Sequence, residues 1–234
     1  MITDRQRKIL NAIIKEYIDS AEPVSSHILA HKYNFGLCSA TMRIEMKNLT
    51  RLGFLEKPYI SSGRIPTDRA YRIFVDNLFE DLGVENEIED LNNIFKNSAT
   101  EFEIAKELTD FLANISSGYI ILSFPQRNIS WQAGFSDIIK EPEFSNKDFI
   151  INFLSFLDEF LKEQERLDLK FRTRVFIGDE NPFEGGHDFS MICLENILKN
   201  KERFRLSLIG PKRMNYYKNI KLINSLSKII DEKI

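Results

Sequence analysis

A group of acidic, histidine and cysteine residues in the last third of the chain contains the side-chain types of a metal or nucleophilic site. The group comprises Asp179, Glu180, His187, Asp188 and Cys193. Such side chains bind metals, or act as nucleophile and base, when the fold brings them together. However, the single histidine of this group, His187, lies in a glycine-rich stretch, and no metalloprotease, phosphate-loop or dinucleotide-binding motif accompanies it. We therefore predict that His187 is an ordinary surface residue and that the chain has no enzyme activity, cofactor or metal.

A second group, within residues 39–64, has the side-chain types that bind DNA. Cations and hydroxyls donate to phosphate oxygens and base edges, and apolar groups contact the thymine methyl. The predicted DNA-binding residues are Ser39, Thr41, Arg43, Ile44, Lys47, Lys57 and Arg64.

Three short helices are predicted to position these residues. Thr3 and Gln6 form a capping box for the first helix, and Ser25 or Ser26 caps the second. Ser39 is predicted to cap the third helix. Met42, Met46 and Leu49 would form the buried stripe of that helix, which leaves Arg43 and Lys47 on the opposite, groove-facing side.

A hairpin is predicted to follow the third helix. Gly53 ends the helix, Phe54 and Leu55 begin a strand, and residues 61–63, Ser-Ser-Gly, supply a tight turn. Arg64 is expected at the hairpin tip, where it would enter the minor groove or contact a phosphate. Arg43 is expected to provide sequence specificity, and Arg64 general affinity. The whole N-terminal pattern predicts a winged helix-turn-helix.

Charge is distributed unevenly along the 234 residues. Residues 1–78 hold 12 Lys and Arg against 8 Asp and Glu, whereas the remainder holds 20 against 27. Since phosphate contacts act locally, the N-terminal part is the predicted docking region for a polyanion. The chain has no apolar run long enough to span a bilayer, no signal-peptide pattern and only two distant cysteines. We expect a cytoplasmic protein without membrane contact.

Taken singly, Arg43 and Lys47 are more typical of ordinary solvated charges than of a binding site. The order of elements favours DNA binding, because a capped helix, a glycine turn and local positive charge meet several independent expectations at once.

The same residues resemble the HrcA-type heat-inducible transcription repressors. Matching N-terminal positions are Arg5-Gln6-Arg7, Tyr17, Glu22-Pro23-Val24, Ser39-Ala40-Thr41, Arg43, Met46, Leu49, Gly53, Gly63-Arg64-Ile65-Pro66-Thr67, Tyr71-Arg72 and Val75-Asp76. Residues 177–182 and 210–214 resemble a second signature of that family. The resemblance implies a repressor that binds an inverted-repeat operator of chaperone operons as a homodimer. It further implies release by heat or protein damage and a GroE-type chaperonin as partner.

The remaining sequence predicts an α+β body. Helices are expected over residues 87–115 and 148–165, and strands near 119–124, 172–177, 189–194 and 205–209. A final helix is expected to begin at Pro211, with an apolar stripe that consists of Met214, Tyr217, Ile220, Ile223, Leu226 and Ile230. We predict a winged helix-turn-helix domain at 1–78, a helical connector with a possible dimer contact at 79–115, and an α+β domain at 116–234. The family resemblance implies that this last domain is GAF-like.

The chain departs from the family in two respects. Residues 126–132 alone join two segments that are normally far apart, so the inserted segment linked to dimerisation is missing. Helices of 87–115 or the C-terminal helix are therefore the hypothesised dimer interface. Ile44 replaces a residue that is usually polar; it either contacts a thymine methyl in a modified operator or packs against the hairpin.

Two further functions stay open at this point. The winged helix could bind protein instead of DNA, or the body could make the chain a small-molecule-responsive regulator without a heat-shock role. Cys38, beside the third helix, is expected to be a buried packing residue.

Overall fold

The chain forms two units, Met1–Asp81 and Leu82–Ile234, in a computed structural model that describes residues 2–81, 88–97, 100–167, 169, 173–197 and 201–233. The first unit contains four helices and a minimal hairpin. Its elements are α1 (Asp4–Ser20), α2 (Ser26–Lys32), α3 (Ser39–Arg51), β1 (Leu55–Glu56), β2 (Ile65–Pro66) and α4 (Asp68–Asp81).

Local capping explains where these helices begin. Thr3 and Gln6 form the predicted capping box, and the Ser25 hydroxyl accepts from the amide of Ile28 at 3.2 Å. The prediction that Ser39 caps α3 is wrong. Cys38 holds the cap position with an extended backbone and no side-chain cap bond, and its carbonyl accepts from the Met42 amide at 2.9 Å. Ser39 is the first helical residue.

The core of the first unit forms where the apolar stripes of its helices meet. Its fully buried members include Ile9, Leu10, Ile13, Ile14, Leu29, Met42, Leu49 and Val75. Ile9, Leu10, Ile13 and Ile14 form the buried stripe of α1, while Tyr17 and Ile18 at its end are half-buried. The same packing confirms Met42, Met46 and Leu49 as the inner face of α3.

The second unit combines five α-helices with a five-stranded sheet among its described residues. The elements are α5 (Ile88–Asn97), α6 (Glu101–Ser116), β3 (Tyr119–Phe124), β4 (Ile129–Ala133), α7 (Phe135–Ile138), α8 (Lys147–Glu163), β5 (Arg174–Ile177), β6 (Phe189–Ile197), β7 (Arg203–Pro211) and α9 (Tyr216–Lys233). None of the helices in the described ranges is long and apolar enough to cross a lipid bilayer.

The sheet has the strand order β4-β3-β7-β6-β5, and every neighbouring pair is antiparallel. Aromatic residues of α8 pack on one face, where Phe153 and Phe156 meet Phe189. Helices α6 and α9 contact strands β3 and β6, respectively. The central strands β3, β6 and β7 are therefore buried along most of their length and rich in apolar residues, as expected for strands that are covered on both faces. The predicted α+β architecture is confirmed for this unit.

Three details of the second unit differ from the sequence prediction. Residues 129–133 are not a plain connector but strand β4, paired with β3. Pro211 does not begin the final helix, because it ends β7 opposite Phe189. The helix begins at Tyr216, where the Asn215 side chain accepts from the Lys218 amide at 3.1 Å. This shift buries Tyr216 in place of the predicted Tyr217, which is 53% exposed.

Candidate nucleic-acid interface

The outward face of α3 is the first component of the candidate interface. Ile44 is 61% exposed, Arg43 and Lys47 are exposed, and Ser39 and Thr41 are half-buried. At 3.6 residues per turn, Ile44 and Lys47 lie near the centre of the outward face. Arg43 lies at its edge, one turn from the exposed Lys47 and adjacent to the buried Met46. The five predicted residues of α3 therefore do not all face the same side of the helix.

Ion pairs fix the position of α3 and α2 on α1. Glu45 is buried on the inner side of α3, where it pairs with Arg5 at 2.6 Å and accepts from Gln6 at 3.1 Å. Glu16 in α1 pairs with Lys32 at 2.6 Å and accepts from the Tyr33 hydroxyl at 2.7 Å. Burial opposes ionisation of Glu16, but the bonds from Lys32 and Tyr33 outweigh it and lower its pKa. The three-helix frame is therefore held by contacts that do not use the outward face.

The hairpin is the second component, and its tip consists of different residues from those predicted. Residues 59–62 turn the chain, since the Ser62 hydroxyl donates to the Tyr59 carbonyl at 2.7 Å. Ile60 at this turn is 93% exposed and Tyr59 is 60% exposed. The amino-acid types of these two residues do not point to DNA binding, because tyrosine and isoleucine are typical of strands. They are therefore absent from the predicted site.

Arg64 does not lie at the hairpin tip, which corrects the sequence prediction. Its amide and carbonyl pair with Val24 at 2.8 and 2.9 Å, and its Nε donates to the Thr50 hydroxyl at 3.0 Å. The side chain is half-buried. These bonds join the returning strand to both α3 and the segment before α2. The sequence of a short hairpin does not reveal such long-range contacts.

Gly63 makes this arrangement possible through close backbone contact. A Cβ atom at this position would lie 2.4 Å from the Val24 carbonyl oxygen and 2.5 Å from that of Pro23. A side chain would therefore push the returning strand away from residues 23–24.

We expect Gly63→Ala to lower the free energy of unfolding of the first unit by about 1 to 3 kcal/mol, because backbone atoms must move to admit the methyl group. Hydrogen exchange at the Val24 and Arg64 amides should accelerate in parallel. Ser61→Ala, at an exposed position of the same loop, is the matched control and should behave as wild type. Unchanged exchange at Val24 in the glycine variant would refute the close contact.

Three cations of the candidate interface are available to bind an external anion. Within the described ranges, Arg43, Lys47 and Lys57 have neither an ion-pair partner nor a hydrogen-bond acceptor for their side chains. Arg51, at the end of α3, is also exposed. Unpaired cations on one side of a small unit create a local positive potential whatever the net charge of the chain.

Cys38 is exposed at the start of α3, contrary to the predicted burial. The Thr41 hydroxyl lies 3.3 Å from its sulfur. The Thr41 hydroxyl, and then the nearby amides of Thr41 and Ala40 at the start of the helix, lower the pKa of the thiol. The cysteine occupies a helix cap, which is a surface position.

The acidic, histidine and cysteine group of the second unit does not form a site among the described residues. Glu180 accepts from the Ile177 amide at 3.1 Å, and Asp188 accepts from Asn152 at 3.1 Å. Cys193 lies inside the sheet beside Ser207, and burial raises its pKa to about 12. No cluster of three or more metal-ligating side chains occurs in the described part of the chain.

Comparisons with known proteins match both units. The family model for the HrcA protein C-terminal domain matches residues 67–220. The heat-inducible transcription repressor HrcA of Thermoanaerobacter sp. (strain X514) is 42% identical over 128 residues, covering 54% of this chain but only 37% of that protein. The protein of the same name from Thermodesulfovibrio yellowstonii is 25% identical, with 97% of each chain covered.

One solved structure shares the fold. It is the crystal structure of a hypothetical protein at 2.2 Å resolution, with a TM-score of 0.80 and 17% sequence identity. The match covers 99% of this chain and 98% of that chain.

Proposed function

Because this chain belongs to the HrcA family, whose model matches residues 67–220, we propose that it is a DNA-binding repressor of heat-shock chaperone operons. Related proteins bear the name heat-inducible transcription repressor. We propose that it acts in the cytoplasm, binds an inverted-repeat operator as a dimer, and is released by heat or folding stress. A GroE-type chaperonin is a further proposed partner.

The observation that carries this proposal is the outward face of α3 beside the hairpin, with Arg43, Lys47 and Lys57 unpaired among the described residues. We propose that the first unit is a winged helix-turn-helix, with α3 in the major groove and residues 57–64 as the wing. Thr41, Ile44 and Lys47 would face base edges. Ser39, Arg43, Lys57 and Arg64 complete the proposed DNA-binding set.

The position of Ile44 supports one of the two alternatives left open by the sequence. A side chain that is 61% exposed does not pack against the hairpin. We propose that Ile44 contacts a thymine methyl, where a polar side chain would have donated a hydrogen bond.

Dimer formation has to use surfaces that the fold of the second unit leaves open. Leu108 and Leu112 of α6, and Ile220 and Ile223 of α9, are buried within that unit. An interface on the helices of residues 87–115 or on α9 would therefore involve their remaining faces. We propose the division into residues 1–78, 79–115 and 116–234, with a GAF-like third part that lacks the usual insert. A strictly monomeric mass at micromolar concentration would count against the dimer hypothesis.

Repression of a reporter gene provides a test in cells. A reporter behind the organism's own chaperone promoter should be repressed by the wild-type chain at growth temperature and expressed after heat shock. Lys47→Ala should weaken repression roughly tenfold, because a groove-facing cation is lost. Lys15→Ala on α1, an exposed cation away from α3, is the control. Repression that persists after deletion of the inverted repeat would refute the proposal.

A further inference from the structure

A cleft of about 370 Å³ lies in the first unit between the start of α2, the edge of α3 and residues 57–64. Arg43 and Met46 form its α3 side, Ser25 and Ser26 its α2 side, and Lys57 and residues 61–64 the hairpin side. Three elements that are distant in sequence thus enclose one space. No acidic side chain is among the described residues that line it.

The cleft carries positive charge, and part of that charge is available to bind an anion. Arg43 and Lys57 have no partner within the described ranges, and both are exposed. Arg64 is fixed by bonds to the Thr50 hydroxyl at 3.0 Å and to the Gly63 carbonyl at 3.1 Å. None of the described residues accepts a hydrogen bond from its Nη2 atom. One hydrogen-bonded guanidinium and two cations without a partner in the described ranges therefore border the same space.

The Ser26 hydroxyl adds a neutral donor. Ser26 is only 8% exposed, lines the cleft, and has no side-chain hydrogen bond to any described residue. Its neighbours differ, because the Ser25 hydroxyl caps α2 at the Ile28 amide and the Ser62 hydroxyl is bonded within the hairpin turn. Because Ser26 lines the cleft, its hydroxyl can donate to a ligand oxygen there.

The position of Arg43 on α3 separates the cleft from the base-facing surface. Successive residues of an α-helix are about 100° apart, so Arg43 and Ile44 face different directions, whereas Lys47 is only about 40° away from Arg43. Arg43 lines the cleft together with Met46, and Lys47 does not. A cation in this place meets the sugar-phosphate backbone while Ile44 and Lys47 face the groove.

We propose that this cleft is a preformed site for one backbone phosphate of the bound DNA, held by Arg43, Lys57, Arg64 and the Ser26 hydroxyl. The proposal rests on the proposed DNA-binding function and refines it: Arg43 supplies affinity for any duplex, and the sequence-based expectation that it provides specificity is replaced. A phosphodiester fits the donors, since three cations and a hydroxyl can share its two unesterified oxygens.

A thermodynamic cycle between protein variants and single neutral methylphosphonates in the operator tests this site. With the wild-type chain, one methylphosphonate position per half-site should weaken binding roughly tenfold or more. In Arg43→Gln, which removes an exposed and unpaired side chain, the same methylphosphonate should have almost no further effect. Lys47→Gln is the matched control on the same helix, and the methylphosphonate should still weaken its binding fully. Ser26→Ala should show partial coupling at the same position.

Binding of free anions separates the backbone phosphate from other sources of the same chemistry. Inorganic phosphate at millimolar concentration should shift the amide resonances of Ser26 and Gly63 in the wild-type chain, and not in Arg43→Gln. The proposed site is supported if Arg43→Gln is coupled to a methylphosphonate at one DNA position only, whether or not inorganic phosphate shifts the two amide resonances. The proposal would be overturned if the loss of binding free energy caused by Arg43→Gln simply added to that caused by the methylphosphonate at every position. If operator and scrambled DNA bind equally, the repressor proposal fails, whereas the cycle on either duplex still decides the cleft.

Discussion

Arg205→Ala is expected to lower the free energy of unfolding of the second unit by about 3 to 5 kcal/mol. Arg205 is 2% exposed in β7, and its Nη2 lies 2.5 Å from Glu195 Oε2 in β6. It also donates to the carbonyls of Gln164 and Leu167, which follow α8. Truncation would leave the Glu195 carboxylate and two carbonyls without these donors. Urea unfolding followed by Trp131 fluorescence measures the change, because the only tryptophan lies in the same sheet.

An exposed ion pair supplies the control for this prediction. Lys162 and Asp158 on α8 are 2.6 Å apart, with both side chains about two-thirds exposed. Lys162→Ala should cost at most about 0.5 kcal/mol, since solvent screens such pairs. Replacing Arg205 and Glu195 together by Met and Leu should recover most of the stability. Equal costs for Arg205→Ala and Lys162→Ala would contradict the buried-pair account.

Replacing Arg43, Lys47 and Lys57 together by Gln is expected to reduce operator affinity by at least about 100-fold at 0.1 M salt. Each cation is exposed and unpaired in the described structure, so its removal does not disturb the fold. Each is expected to displace about one counterion, so the slope of log affinity against log salt should become shallower by roughly three. Fluorescence anisotropy of a labelled operator across a salt series measures both quantities.

A triple variant of Arg7, Lys8 and Lys15 to Gln is the matched control. These cations are exposed on α1 and carry the same charge, but they do not belong to the α3 and hairpin surface. The control should retain affinity within a few-fold and keep nearly the wild-type salt slope. Similar losses in the two variants would mean that net charge, and not the proposed surface, determines binding.

Much of the first unit could be predicted from sequence because its signals are local. The capping box of α1, the buried stripe of α3 and the hairpin after Gly53 follow from spacing and turn chemistry. The anchoring of Arg64 could not be predicted. It depends on the pairing of residue 64 with Val24, 40 positions earlier, and on the Thr50 hydroxyl.

The sequence-based predictions that failed in the second unit also failed because of long-range contacts. Strand β4 is short and half-buried, so only its pairing with β3 identifies it. Pro211 after Gly210 is typical of a helix start, but pairing across β6 and β7 extends the strand to Pro211. Long-range pairing overrides the local signal in both places.

The second family signature has a structural role in this chain. The Asn181 side chain donates to the carbonyls of Gly186 and Phe189 at 2.8 Å each, which orders the loop before β6. Arg213 pairs with Glu143 at 2.6 Å and with Glu141 at 2.5 Å, which ties the segment after β7 to the turn before α8. Sequence patterns alone do not distinguish such framework residues from binding residues.

The most direct test of the central claim is the affinity of the full wild-type chain for its inverted-repeat operator, relative to a scrambled duplex of the same composition, across a salt series. We predict a preference of roughly 1,000-fold or more at physiological salt, with affinity that falls steeply as salt increases. Equal affinity for the two duplexes would contradict the assignment of this chain as an operator-binding repressor.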